Sequence, residues 1–164
     1  MNLDAKINMV GFKIAEILDE NMINKLLGVL ANDGVYAMWV YAINKLKDIE
    51  LLEFLLNISL LPVQLSNNKQ LKKDDLDLLK QLYEEIQSLN KEISDLKKQK
   101  KKQEEDDKKQ ELINKKREYK DKFKNNYEFF QTLSQDINQL LFFKEMVEKA
   151  LIYARYHAKA MKDE

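Results

Sequence analysis

The scarcest residues constrain this chain most. One proline and three glycines in 164 residues are too few turn-formers for the repeated reversals of a β-sandwich or barrel. The tracts between them are rich in Leu, Lys, Glu and Gln, which favour helix. The expected class is therefore all-α. At this length the chain suits one ordinary domain, or a small domain plus an arm.

Composition removes several function classes. Without cysteine there is neither a disulfide framework nor a thiolate metal site. Neither a secretory apolar region nor a run long enough to span a bilayer is present, so a cytoplasmic location with no membrane partner is expected. The 28 basic side chains balance 28 acidic ones, so no whole-molecule field draws the chain toward nucleic acid or anionic lipid. Any polyanion site must be local. From Met1 to Leu61 five lysines face eight acids, and from Ser134 to Glu164 five cations face five acids. The middle holds the excess, 18 basic against 15 acidic.

Pro62 and the polar stretch Ser66, Asn67, Asn68 mark the clearest boundary, because proline lacks the N–H needed to continue a helix ending near Leu61. Before it, Leu3, Ile7, Val10, Ile14 and Ile17 recur at spacings of four and three and predict a first helix. A second is expected from about Asn21 to Leu30. Asn32, Asp33 and Gly34 predict a turn, since Asn and Asp bond their own backbone and Gly tolerates positive φ. A third helix carries Val35, Trp39, Ala42, Ile43 and Leu46. Asp48 is placed to cap a fourth, whose Leu51, Leu52, Leu55, Leu56 and Ile58 predict burial.

From Asp75 the pattern tightens. Leu79, Leu82, Ile86, Leu89, Ile93 and Leu96 alternate spacings of three and four, the seam of a coiled coil with charged flanks. After the polar run Lys97 to Lys109 a second seam carries Leu112, Tyr119, Phe123, Phe130, Leu133, Ile137 and Leu140, with Lys116 and Asn126 in two of its slots. Folding back near Glu104 would set Leu96 opposite Leu112, Leu89 opposite Tyr119 and Ile86 opposite Phe123. An antiparallel helical hairpin is the economical arrangement, because each strip is covered by its neighbour. The alternative, one continuous helix, needs a second chain. The expected fold is thus a compact helical bundle with an inserted antiparallel coiled-coil hairpin: bundle helices over 1–74, an arm over 75–127, and a closing helix over 128–164. At the tip, five lysines sit among Lys97, Lys98, Gln99, Lys100, Lys101 and Lys102. Glu104, Glu105, Asp106 and Asp107 follow, and the expectation is a solvated tip whose lysines these acids neutralise.

The last helix, from about Gln135 to Met161, has two faces. At 100° per residue, Phe143, Met146, Val147, Ala150, Ala154, Ala158 and Met161 share one side. Lys144, Arg155, Lys159 and Lys162 fall within a sector of roughly 60° away from it, diluted by Glu148.

No chemistry emerges from the residue patterns. The single histidine, His157, lies at the edge of the apolar face with no Ser or Cys nucleophile arrangement, and reads as structural. The Glu-x-x-His pairs of di-iron carboxylate bundles are missing, as are phosphate loops, zinc spacings and dinucleotide fingerprints. Arg155 stands only two residues before His157, unlike the Arg-x4-His spacing of metal-independent helical RNases. The expectation is a binding protein, not an enzyme, with no cofactor.

Two segments resemble the small α-helical subunit of type III-B CRISPR effector complexes, the fifth of the Cmr proteins. One is Leu30-Ala31-Asn32-Asp33-Gly34-Val35 leading into Trp39-Val40-Tyr41-Ala42-Ile43-Asn44-Lys45. It is similar to the family's helix end, Gly-apolar turn and aromatic-bearing helix with a terminal Lys. The other runs from Glu148 to Met161 and looks like the family's closing helix, with an Ala-rich face and basic residues. With the first helix, the resemblance covers 80 to 90 residues at the two ends; the long middle departs from the family's shorter central part.

The resemblance implies a non-catalytic subunit stacked in several copies beside other Cmr subunits, helping to hold target RNA against the guide RNA. A basic face repeated in stacked copies can line a channel with phosphate contacts that a neutral subunit cannot supply alone. The candidate RNA-binding residues are Lys144, Lys149, Arg155, Lys159 and Lys162, with Lys45 and Lys47 at the end of the third helix. The alternatives are a coiled-coil structural or adaptor protein with no nucleic-acid role, and the small subunit of a related type III-A complex.

Overall fold

The computed structural model describes residues 1–65 and 70–163, and among these it contains helices and no strand. The helices are α1 (Leu3–Ile17), α2 (Glu20–Asp33), α3 (Val35–Lys45), α4 (Asp48–Ile58), α5 (Lys73–Lys98), α6 (Lys102–Gln135) and α7 (Ile137–Lys162). The expected all-α bundle with a long helical hairpin is the fold observed. Ser66, Asn67 and Asn68 lie outside the described residues.

Local chemistry accounts for most of the joints. Asn2 and Asp19 open α1 and α2 by accepting the backbone N–H of Ala5 at 2.8 Å and of Met22 at 2.7 Å, the N-cap bond that satisfies an orphan donor. Gly34 alone separates α2 from α3. Its N–H closes α2 on the Leu30 carbonyl at 3.1 Å and its carbonyl starts α3 by accepting from Met38 at 3.1 Å. Its φ of 93° is one that a side chain would strain. The expected turn is therefore a single residue, with Asn32 and Asp33 still helical. Asp48 is not a cap: it is the first residue of α4, and Glu50 Oε2 accepts the Lys47 N–H at 3.1 Å instead.

α7 packs against α1 and α2, and its apolar face is buried as expected from Phe143 through Ala158. Met161, expected on that face, is 42% exposed in the last turn. The approach of α1 to α7 is close because Gly11 has no side chain. A Cβ there would stand 2.6 Å from the Ala150 carbonyl oxygen and 2.8 Å from Tyr153 Cβ. Trp39, fully buried on α3, faces α6. It stacks on Phe130 at 4.4 Å and Phe123 at 6.0 Å, with the Tyr127 ring edge-on at 5.5 Å.

The hairpin differs from expectation in three ways. The chain reverses at Gln99–Lys101, not near Glu104, with Lys100 in the left-handed region at φ 58°. Hydrogen bonds from Lys100 N to the Lys97 carbonyl and from Lys101 N to the Leu96 carbonyl, each 3.2 Å, close the turn. Second, the register follows from that turn. Lys108 pairs with Glu92 at 3.4 Å and Lys115 with Glu85 at 2.7 Å, so Leu96, Leu89 and Ile86 cannot face Leu112, Tyr119 and Phe123. Third, the second seam stops at Leu133. Asp136 breaks the helix and caps α7, accepting the Gln139 N–H at 3.1 Å, which leaves Ile137 62% exposed.

The arm is rooted in the bundle at both ends. Leu76 and Leu79 of α5 belong to the main core, as do Phe129, Phe130 and Leu133 of α6. Lys80 binds Glu53 of α4. Leu82, Ile86 and Leu89 are buried further out, between the two long helices. At a rise of 1.5 Å per residue, Leu82 to Lys98 spans about 24 Å.

Candidate nucleic-acid interface

The α7 sector singled out from sequence is mostly occupied by contacts to α2. Lys162 Nζ lies 3.0 Å from Glu20 Oε2, and Lys159 Nζ 3.9 Å from Glu20 Oε1. At the other end, Lys144 Nζ donates to the Ala31 carbonyl at 3.4 Å, among the last carbonyls of α2. These contacts set α2 antiparallel to α7. The arrangement suits both helix dipoles: the Glu20 carboxylate sits in the first turn of α2, and the lysines of α7 meet a carboxylate at one end and a carbonyl at the other. Lys144, Lys159 and Lys162 thus also touch α2, with the side chains of Lys159 and Lys162 still 58% and 64% exposed. No linear signal pointed to Glu20 as their partner.

The remaining candidates divide. Lys149 is exposed and held by Glu145 at 3.0 Å, which raises its pKa chiefly through that hydrogen bond. Arg155, half-buried, has no ion-pair partner among the described residues. Its guanidinium carbon lies 5.4 Å from the centroid of the Tyr156 ring, which is 58% exposed. Lys45 and Lys47 are exposed at the α3–α4 joint, beside the root of the arm. There Asp48 acts on Tyr119 of α6. The candidates therefore form two groups, one along α7, where Lys144, Lys159 and Lys162 touch α2, and one near the arm.

His157 has the structural surroundings expected of it. Its Nε2 lies 3.1 Å from Asn8 Oδ1, and its ring meets Phe12 edge-to-face at 5.2 Å. Phe12 remains 44% exposed, so Phe12 and Tyr156 are two accessible rings on the surface formed by α1 and α7. Sequence reasoning passed over both, because a lone aromatic in an apolar stretch is read as core. Among the described residues no group of three or more His, Asp or Glu side chains is arranged to hold a metal ion.

The tip of the arm also departs from expectation. The acids that follow the lysines do not neutralise them as ion pairs. Glu105 takes Lys109, within its own helix, at 2.5 Å, and Lys108 takes Glu92 and Glu111. Asp107 accepts from Gln103 at 3.2 Å. Lys97, Lys98, Lys100, Lys101 and Lys102 are all exposed and have no ion-pair partner among the described residues. Lys97 and Lys102 reach Glu105 only as neighbouring charges that help hold its carboxyl below the usual range, behind the Lys109 hydrogen bond.

No described helix is long and apolar enough to cross a membrane. Comparison of the chain with protein-family models, with curated proteins and with solved structures finds no match.

Proposed function

We propose that the protein is a non-catalytic small subunit of an RNA-guided effector complex of the type III-B CRISPR kind, packed in several copies against other subunits and helping to hold target RNA. One observation carries this reading furthest. Arg155 and Tyr156, within the closing segment that resembles the Cmr small subunit, combine a cation without a carboxylate partner and an exposed ring. Such a pair can meet a phosphate and stack on a base. The all-helical bundle also agrees with the family's architecture.

Lys149, Lys159 and Lys162 each have a carboxylate neighbour yet keep about half or more of their side chains exposed, so the RNA-facing set on α7 stays Lys144, Lys149, Arg155, Lys159 and Lys162, joined by Tyr156, with Lys45 and Lys47 as a separate group. A second reading is a structural adaptor that meets its partner through the arm, because Lys144, Lys159 and Lys162 also hold α2 beside α7.

Tagged protein purified from cells carrying its native locus separates the two. The effector reading expects co-purification with guide RNA of uniform length and RAMP-type subunits, and weaker target-RNA binding by that complex when Arg155→Ala and Tyr156→Ala are combined. Assembly without RNA selects the adaptor. A type III-A assembly is distinguished by which RAMP-type subunits accompany the chain.

A further inference from the structure

We infer that the tip of the α5–α6 arm is a contact site for the phosphate backbone of a single-stranded nucleic acid. This goes beyond the effector reading and does not rest on it, because the tip lies outside both segments of resemblance.

Lys97 and Lys98 close α5, and cations at a helix C-terminus are favourable, so they need no further reason. The next three lysines oppose local preference. Lys100 is in the left-handed region at φ 58°, where glycine or asparagine is the low-strain choice. Lys101 is the N-cap of α6 and makes no side-chain cap bond, where Ser, Thr, Asp or Asn would satisfy an orphan N–H. Lys102 opens α6 at the end of the dipole that repels cations, a cost that the Glu105 carboxylate three residues on offsets in part. Lysine therefore fills three adjacent positions, at two of which, 100 and 101, a turn chosen for stability would carry a different residue. Together with Lys97 and Lys98 they put five exposed, unpaired ammonium groups at the end of a stem about 24 Å long.

The rest of the tip selects the partner. No large apolar side chain is exposed between Leu96 and Leu112, so nothing there can insert into a bilayer. Asp95, Glu104, Asp106 and Asp107 are exposed just behind the lysines, where a broad anionic membrane would meet them too. A single nucleic-acid strand is narrow enough to lie across the lysines alone. With a neutral molecule behind it, the tip acts as a local contact and not as part of a general cationic field.

The test uses the full chain and a labelled 20-nucleotide oligouridine RNA, read by fluorescence anisotropy at several NaCl concentrations. The tip variant combines Lys100→Gly, Lys101→Ser and Lys102→Glu. A control of equal charge change combines Lys91→Gln, Lys116→Gln and Lys120→Glu, all exposed on the stem. The tip variant is expected to melt about 2–4 °C higher than the native chain, because Lys100→Gly and Lys101→Ser each restore a local preference while Lys102→Glu exchanges a dipole gain for the loss of a favourable charge beside Glu105. It is also expected to bind RNA about 10- to 100-fold more weakly at 50 mM NaCl, with the log–log salt slope smaller by about 2. The control should lose less than about 3-fold. Equal losses in the two variants, or native affinity in the tip variant, overturn the proposal. So does binding to vesicles of 30% phosphatidylserine in phosphatidylcholine that the tip variant abolishes while RNA binding is unchanged. A tip variant that melts no higher overturns the argument that these lysines are held against the preference of the fold.

Discussion

Gly11→Ala tests the packing that seats α7, and the structure sets its sign. In isolation the change favours helix by about 1 kcal/mol. In this fold the new methyl would stand 2.6 Å from the Ala150 carbonyl oxygen, 2.8 Å from Tyr153 Cβ and 3.1 Å from the Ala154 nitrogen. Two of the three are backbone atoms and cannot swing aside. Restoring ordinary contact near 3.4 Å requires α1 to withdraw by about 0.6–0.8 Å, a gap that forfeits a quarter or more of the dispersion energy across it. Ile7, Val10 and Ile14, each no more than 1% exposed, would lose packing together. Overpacking of this kind costs about 1–3 kcal/mol, and with three core side chains affected the upper end applies. The propensity gain offsets part, leaving a net loss of about 2 kcal/mol, or about 4–8 °C in Tm for a chain of this size. Gly28→Ala is the internal control. Nothing lies within 4 Å of its would-be Cβ, so only the propensity gain of about 1 kcal/mol remains and Tm should rise. Urea unfolding is the assay, read as opposite shifts in midpoint at constant m. A Gly11→Ala chain as stable as the native one would mean that α1 and α7 are not in close contact at this point.

The arm and the aromatic cluster at its root give two further tests. Replacing residues 85–115 with a short Gly/Ser linker cuts the hairpin at a matched rung, Glu85 opposite Lys115, and should leave a cooperatively folding bundle. Removing 75–126 should destabilise it severely, since Leu76 and Leu79 alone contribute about 1.5–3 kcal/mol each by burial and Trp39 loses Phe123; circular dichroism melts of both deletions decide. Burial raises the Tyr119 pKa above its ordinary 10.0, with Asp48 and Tyr83 adding to the shift. Its neutral form is thus the one the fold favours: the contribution is complete below pH 10 and is lost as pH rises toward the higher folded value, so Tyr119→Phe should flatten the fall in stability above pH 10.

Much of this fold was legible because its signals are local. The 3–4 spacing of Ile7, Val10 and Ile14, the Leu/Ile strip from Leu79 to Leu89 and the glycine at position 34 each act within a few residues. The structure realises them with small shifts of boundary. What was not legible depends on register. The heptad strips of α5 and α6 are degenerate: sliding one past the other by one repeat still sets apolar against apolar. The degenerate slide is one heptad, about seven residues, so periodicity alone could not choose between a reversal at Glu104 and one at Lys100. The ion pairs Lys108–Glu92 and Lys115–Glu85 distinguish those registers, but they become evident only when the helices lie side by side.

The same distinction explains why the candidate site was only half visible. A helical projection assigns each side chain to a face, and it correctly put Lys144, Lys159 and Lys162 away from the buried face of α7. It cannot say whether that side meets water or another helix. The answer comes from Glu20 and Ala31, more than a hundred residues earlier, which bring α2 alongside this face while Lys159 and Lys162 stay more than half exposed. The tip shows the converse error. Glu104 to Asp107 are close in sequence to the lysines and were read as their counter-ions, yet within α6 a carboxylate meets cations three or four residues away. Glu105 accordingly reaches Lys109. Side-chain direction on a helix, more than sequence distance, therefore decides which charges are used up inside the chain, and it leaves the cations at residues 100–102 available to a partner.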